Sequence, residues 1–353
     1  MIGIASRRLA STLSTATLCI FLFWEPASAA NGEAPKVVVT IKPVHSLVAG
    51  IMEGVGTPRL LVEGSASAHT FAMKPSAARA VYEADLVIRV SPALEPFTAK
   101  LAEGLASKTK LLTLADTDGI HVLPQRRGGT FEAHGSHTSA KRDGHEGHAD
   151  HDAHDTDDAD EGHAGRASDG HGEHPGNSAS TADGHLWLDP ENAKIIVAKV
   201  AEVLAAADAA HAEAYRANAA KLTARIEALQ TGIAAELSPV AGRPFVVFHD
   251  AYQYFERRFG LTVAGSITIS PDVQPSALRL SQVRNKIAAL GAVCVFAEPA
   301  FQPKLVAAVT EGSAARSGSL DPEGMGLEPG RDLYFELMQR LSSSIKTCLS
   351  PPA

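Results

Sequence analysis

Between Pro190 and Pro239 the chain runs for about fifty residues with no proline and one glycine, Gly232, in a composition rich in Ala, Leu, Lys and Glu. Such a run propagates as helix and as little else. Asp189 stands at the N-cap position and Pro190 at the first helical position, where a missing N–H removes nothing. A helix this long without an internal cap is unusual, and Asp208 can cap a second one, so the run is expected to divide near Ala207-Asp208. The second part, from Asp208 to about Leu237, would be ~45 Å long, enough to span a domain. The rest of the chain has to be built around that rod.

On either side lies a similar series of short apolar segments. KVVVTI, PRLLVEG, ADLVIRV and KLLTLAD precede the run, with helix-like stretches at VHSLVAGIM, Pro75 to Glu83 and Leu94 to Ala106. PFVVFHD, TVAGSI, AVCVFAE and RSGSLDP follow it, separated by further helical segments, and RDLYFELMQRLSSSIKTCL closes the chain as an amphipathic helix. Continuous apolar runs, rather than alternating ones, suit parallel strands covered on both faces. The fold class expected is therefore α/β, with two (βα)4-type lobes of parallel-rich sheet joined by a long rigid helix. Ligands of such sheets bind beyond the carboxyl ends of the strands, so the loops after Ile41, Glu63, Val90 and Ala115 are the places to search for a site facing the cleft between the lobes.

The boundaries follow. Residues 1–29 read as a secretory signal: Arg7 and Arg8, an apolar run from Leu13 to Trp24, and the small residues Ala27-Ser28-Ala29. The apolar run is too short to cross a bilayer, and Cys19 lies inside it rather than at a lipidation position, so a free periplasmic protein is expected. The first lobe then covers 30–188, the helices 189–240 and the second lobe 241–353. Export leaves Cys294 and Cys348 as the only thiols of the mature chain. A disulfide between them is the simple expectation in an oxidising compartment, with unpaired buried thiols or a shared metal site as the alternatives.

From Thr130 to Gly184 the composition changes. This insert holds one large apolar side chain, Phe131, with nine glycines and 13 acidic against 3 basic residues, which accounts for the whole of the formal net charge of −8. It cannot bury enough to order itself. The folded lobes are nearly neutral, which gives no support for a nucleic-acid partner. Nine of the fifteen histidines fall in this insert, and His145, His148, His151 and His154 are spaced by three with carboxylates between them. A tract of that kind binds zinc, copper or nickel in interchangeable geometries, at low affinity and as an auxiliary site. HEGH lacks one residue of a metalloprotease HExxH helix.

Outside the insert, His69 follows the second strand, His185 sits between insert and helix, His249 ends the strand PFVVFHD, and Asp321 ends the last strand. Each would project from a strand end or from the start of the rod into the gap between lobes. Three neutral imidazoles with a carboxylate or water make a four-coordinate zinc shell. His45 is expected to pack, His121 and His211 to lie at the surface, and Glu298 either to orient a ligand histidine or hold the lobes together, or to be a surface carboxylate.

KPVHSLVAGIM, GSASAHTFAMKPS, GHLWLDP, VFHDAYQYFERRFGL, CVFAEPAFQP and SLDPEG, in this order around an acidic His-rich insert, resemble the periplasmic zinc-binding components of high-affinity zinc ABC importers, the ZnuA type. The resemblance runs from about Lys36 to Leu349. It implies two lobes on a rigid helix, Zn²⁺ held between them as transported ligand, and delivery to a membrane permease driven by a cytoplasmic ATPase. It also implies that His69, His185 and His249 are the imidazole ligands and that Cys294 and Cys348 form the family's disulfide. Some members carry glutamate directly before the first ligand histidine. Here that place is Ala68, which leaves the fourth position to water, Asp321 or a histidine of the insert. A monomer with no enzymatic activity is expected. The alternatives are a manganese-binding importer protein of the same fold, which would want two carboxylates with two histidines, and a secreted zinc hydrolase, for which no acid/base pair is found.

Overall fold

The computed structural model describes residues 32–126, 182–271, 274–291, 294–299, 301 and 303–351. The signal segment 1–29 and most of the insert, including His145, His148, His151 and His154, lie outside the described residues.

Two four-stranded sheets, parallel throughout, form the lobes. The first contains β1 (Val37–Val39), β2 (Arg59–Leu60), β3 (Leu86–Arg89) and β4 (Lys110–Thr113) in the order β2-β1-β3-β4. The second contains β5 (Pro244–His249), β6 (Thr262–Thr268), β7 (Cys294–Ala297) and β8 (Arg316–Ser319) in the order β6-β5-β7-β8. The two lobes thus share one topology, with a switch point beside the first strand of each, where a crevice opens at the carboxyl ends.

Side-chain alternation explains the layering. Val37, Val39, Leu86 and Ile88 of the first sheet and Phe245 and Val247 of the second point into one continuous core. Their neighbours Val38 and Val87 point to an outer cluster covered by α2 (Pro75–Glu83), and Val246 and Phe248 to one covered by α7 (Ala277–Leu290) and α8 (Pro303–Thr310). Both faces of both sheets are covered, as continuous apolar strands require.

The central core is shared by both lobes. It is filled by α1 (Lys42–Ile51), α4 (Pro190–Ala207), α5 (Ala212–Leu237) and α9 (Leu333–Leu349), and includes Trp187 and Tyr334, both fully buried. α5 has 26 residues, a length of ~39 Å. Its buried residues Tyr215, Ala219, Leu222, Ile226, Leu229, Ile233 and Leu237 form one stripe at helical spacing, packed on α1 of the first lobe and α9 of the second. The helices divide where expected. Asp189 caps α4 by accepting from Glu191 N, and at the break Asp208 Oδ1 accepts from His211 N while Oδ2 accepts from Tyr215 Oη at 2.9 Å. His211 belongs to this junction through a 2.7 Å bond from Nδ1 to Asp208, rather than to an open surface.

One expected helix is broken up. Over 94–106 the chain forms a 3-10 turn at Pro96–Thr98 and a short α3 (Leu101–Gly104). Glu95 turns its side chain back to accept from the amides of Val90 and Ser91, which competes with helix propagation. The insert is also shorter than its composition indicates. Ala182 pairs with Pro124 across an antiparallel bridge and Asp183 N donates to Leu123 O, so residues 182–184 belong to the folded lobe. Cys294 and Cys348 are joined by a disulfide that ties β7 to α9. Among the described residues no helix is long and apolar enough to cross a membrane.

Candidate metal centre

Three elements bring His69, His185 and His249 together. His249 is the last residue of β5 and is 1% exposed. Glu298 follows directly on β7, the neighbouring strand, so its carboxylate lies beside His249 and accepts from Nδ1 at 2.7 Å. His185 precedes the turn Leu186–Leu188 that leads into α4, and its Nδ1 donates to Asp183 Oδ1 at 2.8 Å. Asp183 is in turn fixed from α6 (Gln253–Phe259): Gln253 Nε2 donates to its Oδ2 and Tyr254 Oη to its backbone oxygen. His69, half-buried, sits on the loop after β2, whose residues Ser67 and Ala68 donate to Glu323 of the other lobe at 2.7 and 2.8 Å.

The Nε2 atoms face one another. The separation is 3.2 Å between His69 and His185 and 3.3 Å between His185 and His249, and the ligand atoms of all three residues lie within 4.8 Å of one another. Tetrahedral coordination at ~2.0–2.1 Å demands nitrogens about 3.3–3.4 Å apart. Two of the three pairs meet that spacing without movement. With Nδ1–H of His185 and His249 committed to carboxylates, their Nε2 atoms present lone pairs to the same point. Facing lone pairs repel, and a cation between them turns the repulsion into coordination.

Electrostatics suit that reading. Burial, with the neighbouring His185 and His249, holds the His69 imidazole well below the usual histidine range, so it is neutral and ready to donate a lone pair. Burial pulls His249 in the same direction, but the Glu298 carboxylate, helped by Glu323 and Asp250, outweighs it and raises the group. Burial pushes the Glu323 carboxyl up, against the bonds it accepts from Ala68 and Ser67.

Asp321 does not join the set. The donor group among the described residues consists of the three imidazoles. Asp321 Oδ2 accepts from Gly326 N on its own loop, and its Oδ1 is buried without a hydrogen-bond partner among the described residues. Glu298 takes the role of orienting a histidine. His45 packs, with Nε2 at 3.0 Å from Pro58 O, and His121 is exposed. Sequence reading missed Asp183 and Glu323. Asp183 carried a usable signal, a carboxylate two residues before a candidate ligand, which the acidic insert masked. Glu323 carried none, since its partners lie more than 250 residues away.

Two parallel α/β lobes around a shared helical core, with buried imidazoles converging in the crevice, define a metal-binding solute-binding protein. The family profile described as "Zinc-uptake complex component A periplasmic" matches residues 37–348. The high-affinity zinc uptake system protein ZnuA of Brucella suis biovar 1 (strain 1330) is 46% identical over 323 residues, covering 92% of this chain and 94% of that protein. Its namesake from Paracoccus denitrificans (strain Pd 1222) is 41% identical over 350 residues, 99% of each chain. This chain belongs to the ZnuA family of periplasmic zinc-uptake components. The fold is shared with a crystal structure of ZnuA (TM-score 0.66, 22% identity, 90% of this chain and 100% of that one). It is shared equally with the laminin-binding protein of Streptococcus agalactiae (TM-score 0.66, 21% identity, 90% and 100%).

Proposed function

We propose that His69, His185 and His249 bind Zn²⁺ as cargo in the crevice and that the protein presents it to a membrane permease driven by a cytoplasmic ATPase. The observation that carries this is the convergence of three Nε2 atoms, two of them oriented by carboxylates on Nδ1. A neutral-imidazole donor set favours zinc over manganese or magnesium, which take more oxygen ligands. The family is one of transport proteins, and the hydrolase reading is dropped. Export by residues 1–29 puts the protein in the periplasm, and it works as a monomer. Water completes the coordination shell. The His-rich stretch collects zinc more weakly and, tethered beside the crevice, supplies it at an effective concentration in the millimolar range.

Calorimetry on untagged protein tests this. The wild type should titrate with one tight site and several weak ones. His69→Ala, His185→Ala and His249→Ala should each remove the tight site. Deletion of residues 127–181, which spares Ala182 and Asp183, should remove the weak sites alone. Tight binding that survives all three histidine substitutions would sink the assignment.

A further inference from the structure

Of the three imidazoles, His69 is the least buried, while His185 and His249 are 5% and 1% exposed and each has Nδ1 bonded to a carboxylate. Among the described residues no carboxylate bonds the His69 ring, so its placement comes through its backbone. That backbone is held from across the crevice. Glu323, 5% exposed and carried by the segment after β8, accepts from Ser67 Oγ at 2.7 Å through one oxygen and from Ala68 N at 2.8 Å through the other. Ser67 Oγ also accepts from His69 N at 3.3 Å, which extends the tie to the ligand residue itself.

The anchor is itself held by side chains from elsewhere in the fold. Lys42 at the start of α1 places its ammonium on the carbonyls of Gly324, Met325 and Leu327 at 3.2, 2.9 and 2.9 Å. Trp187 Nε1 donates to Pro322 O at 3.0 Å, and Gly326 N to Asp321 Oδ2 at 3.1 Å. The segment 321–327, like residues 64–74, has no regular structure, but it is tied on both sides of Glu323 by the Lys42 and Trp187 side chains.

We infer that Glu323 is a positioning residue that latches the His69 loop across the crevice and so sets how long a bound zinc ion stays. Both its oxygens are committed to Ser67 and Ala68, so it acts on the metal through His69. A zinc ion leaves when one ligand swings away, and the imidazole whose ring no carboxylate holds is the one that can move; its departure requires the two bonds to Glu323 to break. Hydrogen bonds to a buried carboxylate are stronger than neutral ones, and losing both lowers the barrier to that motion.

The inference rests on His69, His185 and His249 being the ligands, and its test separates the two. Zinc release from the loaded full-length protein into excess chelator is followed by stopped flow for wild type, Glu323→Ala, Glu323→Gln and Ser67→Ala. Glu323→Ala should release at least about tenfold faster. Glutamine keeps an acceptor for Ala68 N–H and a donor for Ser67 Oγ, so Glu323→Gln should stay within about threefold of wild type. Ser67→Ala, which cuts half the tie from the other side, should fall between them, and it carries the test with Glu323→Gln if the alanine variant does not fold. Release at the wild-type rate from Glu323→Ala and Ser67→Ala overturns the latch. Equal acceleration in Glu323→Gln and Glu323→Ala overturns it too, since charge or metal contact would then be the cause. Tight zinc in His249→Ala would instead overturn the ligand assignment beneath it.

Discussion

Glu95 is completely buried near the carboxyl ends of the first sheet, with Oε2 bonded to the amides of Val90 and Ser91. Burial raises its pKa from 4.5 to about 7, although the Thr40 hydroxyl, those amides and Arg89 pull the other way. Between these values the unfolded chain loses the proton while the folded one keeps it, so stability falls as pH rises through that window, by about 3 kcal/mol in all. Glu95→Gln should keep the fold and lose this slope. Urea unfolding at pH 5 and pH 8 should show the variant gaining on wild type at the higher pH, and a parallel pair of curves would refute the assignment. Glu95 illustrates what single residues reveal in advance. The sequence marks His69, His185 and His249 because histidine is rare outside the insert and each falls after a strand or just before the long helix. It marks Asp183, Glu323 and Glu95 poorly, because carboxylates are common on surfaces and only tertiary contacts tell these from the rest.

At the scale of elements the eight strands and the division at Asp208 were legible, since apolar runs and helix caps are local signals. The extents were not: KVVVTI contributes three residues of strand and PRLLVEG two, because strand ends are set by pairing across the sheet. The disulfide joins β7, which delivers Glu298 to His249, to α9. It closes a sequence separation of 54 residues, and a loop of that size is worth ~4 kcal/mol in the chain-entropy account. Replacing both cysteines by alanine should therefore lower Tm by up to about 10 °C. Zinc affinity should stay close to wild type, because Glu298 is also held by β7 pairing with β5 and β8. Calorimetric scanning and zinc titration of the double variant read the two effects separately.

Across the whole molecule the lobes are braced against each other. They share one core, and beyond it Arg126 from the first lobe reaches Asp250 and Glu256 of the second in a nearly buried cluster. Arg258 Nε donates to Asp189 Oδ1 at 2.7 Å, and Lys42 bonds the loop after β8. A hinge would have to break all of these, so capture of zinc should proceed by local motion of the His69 loop rather than by domain closure. Small-angle scattering of the apo and zinc-loaded protein lacking residues 127–181 should give the same radius of gyration within error; a clear contraction would show that the lobes do close.

The antiparallel bridge between Pro124 and Ala182 has a consequence for how this protein can change over generations. Because the two residues stand side by side, the chain between them begins and ends at one spot on the lobe. Its length can change without moving the walls of the crevice, whose grip on the ion need not be retuned when it does.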